Sequence, residues 1–179
     1  TGSELIGKKV GIHAYGNVGR LVAAKAKALG MEVWAFDPFV PTEKMEAEGV
    51  KVPATLEELY ANCDYISLHI PANEKTKGSI NYELLSKMPK GGCLVNTARK
   101  EVIDEAGMEK LLAERTDLKY VTDIAPANQA ALEQFAPRFF ATPKKQGAET
   151  AEANMNAGLA AARQIVGFIE RGETKFKVN

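Results

Sequence analysis

Residues 9–20, Lys9-Val10-Gly11-Ile12-His13-Ala14-Tyr15-Gly16-Asn17-Val18-Gly19-Arg20, run from a β-rich stretch through a glycine-spaced loop into an amphipathic helix. That context separates a dinucleotide-binding fingerprint from a chance pair of glycines. In such a loop the first glycine eases a tight turn, the second lets backbone approach a pyrophosphate, and the third allows close packing of helix on strand. Gly16 and Gly19 keep the second and third positions, and Ala14 replaces the first. Alanine costs little there if its φ is negative, whereas a left-handed conformation carries a penalty. With Tyr15 and Gly16 forming the turn, the amides of Asn17 and Val18 point at phosphate oxygens with the helix dipole behind them.

The next β-rich stretch, Met31-Glu32-Val33-Trp34-Ala35-Phe36, ends at Asp37. This places a carboxylate roughly 20 residues past the loop, where it accepts hydrogen bonds from an adenine ribose. Its charge repels a 2′-phosphate and no arginine directly follows, so NAD is preferred over NADP. The competing reading of Asp37 is a turn cap.

Further β-rich runs follow at 65–70, 93–97, 119–122 and 138–141, after those at 9–14 and 32–36, with helical pattern between them. The alternation predicts βαβ units and a doubly wound parallel sheet, with residues 1–179 as one domain. In the first helix Val18, Leu21, Val22, Ala28 and Leu29 share one face, and Gly30 ends it. Asp104 and Glu105 open a helix to about Arg115, residues 126–137 read as a loop with one possible helical turn, and a last helix spans about 150–171. Small residues from Ala151 to Ala162 permit close packing, including a subunit contact.

A chain of 179 residues with 45% apolar residues closes one core, and 23 basic residues balance 23 acidic ones, which favours neither nucleic acid nor an anionic membrane as partner. Cys63 and Cys93 show no metal-ligand spacing and read as reduced core residues of a cytoplasmic protein. No apolar run approaches the roughly 18 residues of a membrane span, and no metal site is expected.

Past the loop the chain carries "DPF" (37–39), "CDYISLHIP" (63–71), "INYELLSKMPKGGCLVNTARKEVID" (80–104), "TDIAP" (122–126) and "TPKKQGAETAEA" (142–153), after an opening "TGSELIGKKVGI". In this order they resemble the D-2-hydroxyacid dehydrogenases, nearest to the phosphoglycerate dehydrogenase branch. The resemblance implies a Rossmann-type NAD-binding domain, hydride transfer at C2 of a 2-hydroxy acid with 3-phosphoglycerate the first candidate, and a homodimer through the cofactor domain. It also implies an N-terminal substrate domain outside this chain, which would leave the chain alone inactive. Arg99 matches the arginine that binds the substrate carboxylate, a task for a planar, always-charged fork of donors. Thr97 and Ala98 belong to the same block. His69-Ile70-Pro71 matches a segment lining the adenine side, and Asp123 the position that contacts the nicotinamide carboxamide. His13 reads as a core or edge residue.

Lys100 stands where the family usually has glycine, and the two acid-base positions also depart from the family. Its acid-base histidine falls at Lys144 and its orienting glutamate at about Asn128. Either catalysis is lost, leaving an NAD-sensing or corepressor-like module, or lysine donates the proton. A lysine near pKa 10.4 must be lowered to work at neutral pH, and a carboxylate beside it would oppose that, so the two changes belong together. Lys145 remains a possible substitute for Lys144.

Overall fold

The computed structural model describes residues 2–178, which form two units, one ending at Lys144 and the other beginning at Lys145. The first contains β1 (Lys9–His13), α1 (Asn17–Ala28), β2 (Glu32–Phe36), α2 (Thr42–Ala47), α3 (Leu56–Asn62), β3 (Tyr65–Leu68), α4 (Tyr82–Leu85), β4 (Cys93–Asn96), α5 (Glu105–Glu114), β5 (Lys119–Thr122), α6 (Gln129–Leu132) and β6 (Phe139–Ala141). All strand pairs are parallel, in the order β2-β1-β3-β4-β5-β6. Parallel neighbours need crossovers that bury both faces of the sheet, and the buried side chains of Val10, Ile12, Ile66, Leu68, Cys93 and Leu94 supply that burial. One core holds Ile66, Leu68, Leu94, Met108 and Tyr120; the other holds Val10, Ile12, Ala23, Val33 and Ala35.

The edge beyond β2 is closed by one residue. Lys51 pairs with Trp34 in a parallel bridge, donating to the Val33 carbonyl and accepting from the Ala35 amide, each at 2.9 Å. It stands where the outermost strand of the 3-2-1-4-5-6 dinucleotide-binding order lies. The order in which successive strands are added reverses between β1 and β3, and the cleft outside the carboxyl ends of those two parallel strands is where such sheets bind ligands.

The doubly wound sheet agrees with the sequence reading, and the regular strands stop one or two residues earlier at β1, β3 and β4. The packing of α1 differs. Gly19, Ala23 and Ala26 are its buried residues, while Val18, Leu21 and Leu29 are 63%, 60% and 58% exposed. Small side chains at i, i+4 and i+7 let the helix axis approach the sheet, so of the apolar stripe Val22 packs partly on the core and Val18, Leu21 and Leu29 are left outside. The loop 126–137 contains two short turns, α6 and a 3-10 turn at Glu133–Phe135.

The second unit is α7 (Ala151–Arg171) and its tail. Thr150 caps it by accepting from the Ala153 amide at 3.0 Å, and Gly172 ends it at φ +64°. The Glu173 amide then reaches the Gly167 carbonyl at 3.2 Å, completing a left-handed helix stop. No described helix is long and apolar enough to cross a membrane.

Candidate functional site

The loop after β1 and the first turn of α1 carry Tyr15, Gly16, Asn17, Val18 and Gly19, singled out above. Gly16 caps α1 from extended backbone without any side-chain bond, and the first turn contains no acidic residue. The first-turn amides are therefore available to an anion, with the helix dipole aligned on it. A Cβ placed on Gly16 meets no atom within 4 Å, so the space above it is open. A Cβ on Gly19 would lie 2.3 Å from the Ala14 carbonyl oxygen, so the helix seats on the strand end only because this residue is glycine. Ala14 itself has φ +79°. The left-handed alternative weighed for this position is the one adopted, at a cost of roughly 1–2 kcal/mol.

Asp37 follows β2 and acts on both sides of its own turn. Its Oδ2 accepts from the Tyr15 amide at 2.8 Å and its Oδ1 from the Phe39 amide at 2.9 Å. The turn-cap reading is thus correct, yet each oxygen keeps a lone pair for a hydroxyl. Beside it lies a pocket of about 590 Å³ walled by Pro38, Phe39, Val40, Pro41, Val52 and Pro53 among others, so that apolar side chains stand next to a carboxylate.

The ends of β4, β5 and β6 carry the other positions. Asn96, fully buried at the end of β4, accepts from the Ala98 amide at 3.0 Å and donates to the Arg99 carbonyl at 3.1 Å. This amide folds the segment Thr97–Arg99 back over the sheet edge and leaves the Arg99 side chain exposed. The Asp123 amide donates to the Asn96 carbonyl at 3.2 Å, linking the ends of β4 and β5. Lys144 follows β6, exposed, with its carbonyl accepting from Thr142 Oγ1 at 3.3 Å. Asn128, at the departed glutamate position, donates through Nδ2 to the Glu105 carbonyl at 3.1 Å, while the Glu105 carboxylate accepts from the Ala127 amide at 2.8 Å. His69 follows β3, half-buried, 2.9 Å from Ser67 Oγ, and burial lowers its pKa. Pro71 is exposed, and its carbonyl accepts from Thr76 Oγ1 at 2.6 Å.

His13 is buried beneath the loop with Nδ1 3.0 Å from the Tyr60 hydroxyl, and burial lowers its pKa to about 4. It is a neutral core histidine, as its place inside a strand implied. Burial pushes the Cys63 thiol up to about 12, so it is unreactive. Asn96 was missed in the sequence, although a polar residue closing the apolar run "CLVN" was its signal. Glu48 and Arg20, which grip the Tyr15 side of the loop, had no such signal. Among the described residues no cluster of His, Cys, Asp and Glu is suited to a metal.

A family model for the D-isomer specific 2-hydroxyacid dehydrogenase NAD-binding domain matches residues 1–144. The chain belongs to this family. It is 35% identical over 171 residues to D-3-phosphoglycerate dehydrogenase of Bacillus subtilis, covering 93% of this chain and 32% of that protein. It is 36% identical over 173 residues to hydroxypyruvate reductase of Thermotoga maritima, covering 92% and 54%. A crystal structure of NAD+-bound 3-phosphoglycerate dehydrogenase from Entamoeba histolytica superimposes with a TM-score of 0.88 at 47% identity, over 100% of this chain and 57% of that one. The chain thus spans about a third to somewhat over half of these relatives' lengths.

The residues of this NAD-binding domain fit the cofactor the family is named for. An uncapped helix start without acid, an open face at Gly16 and a carboxylate beside a pocket with apolar walls match, in turn, a pyrophosphate, its close approach, and an adenine with its ribose.

Proposed function

We propose that this dehydrogenase domain is the cofactor half of an enzyme that interconverts a 2-hydroxy acid and a 2-oxo acid, with 3-phosphoglycerate the first candidate and serine biosynthesis its setting. The observation that carries the reading is the placement of the loop 14–19, Asp37, the segment 97–99, Asp123 and Lys144 along the carboxyl edge of one parallel sheet. Five separate strand ends converge there, as catalysis in an open α/β sheet requires.

In this reading the amides of Asn17 and Val18 hold the pyrophosphate, with Tyr15, Gly16 and Gly19 shaping the turn. Asp37 accepts from the ribose hydroxyls and favours NAD over NADP. His69 and Pro71 line the adenine side, and Thr97, Ala98 and Asp123 face the carboxamide end. The dinucleotide supplies a hydride acceptor for the 2-hydroxy acid and a donor for the 2-oxo acid. Arg99 binds the substrate carboxylate and draws electron density from the adjacent carbonyl. Lys144 gives the proton to the 2-oxo oxygen and takes it back in the oxidative direction; Lys145 is the alternative donor.

A substrate domain beyond this chain completes the cleft, so the chain alone binds NADH without turnover. The protein works in the cytoplasm as a homodimer through this domain, and the exposed stripe Val18, Leu21 and Leu29 on α1 supports that contact. The test is Lys144→Ala in the protein joined to its substrate domain. Turnover should vanish while NADH binding persists; retained turnover removes Lys144 from the mechanism. Cofactor-dependent partner binding without any turnover by the unaltered protein would favour a sensing module instead.

A further inference from the structure

A left-handed alanine persists only where its surroundings over-determine it, and Ala14 stands at the start of the cofactor loop. On the sheet side two bonds hold it: the Ala14 amide donates to the Phe36 carbonyl at 3.0 Å and the Tyr15 amide to Asp37 at 2.8 Å. On the helix side there is a third fixture. The Tyr15 ring is buried, and its hydroxyl donates to Glu48 Oε2 at 2.6 Å. Arg20 closes on the same carboxylate, Nε to Oε2 at 3.0 Å and a terminal nitrogen to Oε1 at 2.7 Å. One carboxylate therefore joins the residue after Ala14 to the residue after Gly19, bracketing the turn that presents the amides of Asn17 and Val18. Glu48 is in turn fixed from α1, since Lys27 Nζ donates to its carbonyl at 3.3 Å and crosses over Gly49, where any Cβ would strike that ammonium.

The structure assigns Glu48 as a positioning residue for the cofactor loop: by gripping Tyr15 and Arg20 together it holds the turn closed against the strain at Ala14. Apparent affinity equals intrinsic affinity multiplied by the fraction of loops already in the binding conformation. With the clamp intact that fraction is near one. Without it, the strained loop opens and the fraction falls, whereas a loop with glycine at this position stays closed unaided. The two changes are therefore non-additive.

The inference rests on the reading that the loop holds the pyrophosphate, and the experiment separates the two. NADH titrations, followed by energy transfer from Trp34, compare Glu48→Ala in the unaltered chain and in the Ala14→Gly background. The dissociation constant should rise about fivefold in the first and less than about twofold in the second. Tyr15→Phe, which keeps the ring and removes one bond, should show a smaller effect with the same dependence on background. Equal effects in both backgrounds, or none, overturn the assignment, because a side chain that merely stabilises the fold is indifferent to residue 14. Hydrogen exchange of the Asn17 and Val18 amides in the unaltered chain should slow with NADH. Unchanged exchange there overturns the loop reading itself, and the clamp's role in binding with it.

Discussion

Replacing Ala14 by glycine tests whether the loop is strained. The left-handed backbone costs alanine roughly 1–2 kcal/mol that glycine does not incur. Against that, the half-buried methyl packs on the core beneath it, worth about 0.4 kcal/mol if half of a methylene's burial is lost. Glycine also gains unfolded-state entropy of about 0.4–1 kcal/mol. The sum leaves Ala14→Gly between about 0.4 kcal/mol destabilising and about 1 kcal/mol stabilising. Ala24→Gly is the reference, an exposed position inside α1 where the same exchange costs about 1 kcal/mol. The two variants should then differ by roughly 1–2 kcal/mol, or several degrees in Tm, measured by urea and thermal unfolding followed through Trp34. If both lose stability alike, Ala14 is not strained, and the argument from its φ fails.

His13 makes stability depend on pH. Its native pKa of about 4 lies below the unfolded value of 6.5, so between those values the unfolded chain binds the extra proton. The stability this burial maintains is whole above pH 6.5 and declines as pH falls, by roughly 3 kcal/mol at pH 4. Urea unfolding at pH 7 and 4.5 should show this loss, and His13→Gln should flatten it. Gly19→Ala should abolish NADH binding and lower Tm, since its methyl meets the Ala14 carbonyl rather than a movable side chain; a variant that binds normally contradicts the packing. Asn96→Ala should cost about 2 kcal/mol by leaving the Ala98 amide and Arg99 carbonyl unmatched, and should lower the substrate affinity of the two-domain enzyme. In the proposed homodimer, Leu21→Glu should shift sedimentation from dimer to monomer; an unchanged dimer removes α1 from the interface.

Most of this site was legible because it lies on the part of the fold that sequence describes best. In a parallel sheet ligand-binding residues follow the carboxyl ends of strands, so Asp37 could be picked out from the strand before it, whereas Thr97, Asp123 and Lys144 were singled out by the resemblance and the fold then sets them at strand ends. What escaped were residues whose roles depend on distant partners. Glu48 is one acid among several near α2, and only the fold brings it 2.6 Å from a hydroxyl encoded 33 positions earlier. The conformation of Ala14 could be posed as an alternative but not decided, since φ at a turn is set by both flanking elements.

Which way the apolar face of α1 turns was not legible for a more general reason. Hydrophobic periodicity finds the bulky stripe of a helix and assumes that it faces the core. In a doubly wound domain the helix following the phosphate loop must lie close to the sheet, because its first turn has to place amides at the strand end. Gly19 already sits against the Ala14 carbonyl, so the rest of that face can hold only residues as small as Ala23 and Ala26. Val22, at the margin of that face, packs only partly on the core, and the other large apolar residues turn outward. Their presence at 18, 21 and 29 is then a statement about the outer face, where water is a poor neighbour and a second subunit a good one. The demand of the cofactor loop for close packing and the exposure of an apolar stripe are two consequences of one constraint, the distance from α1 to β1.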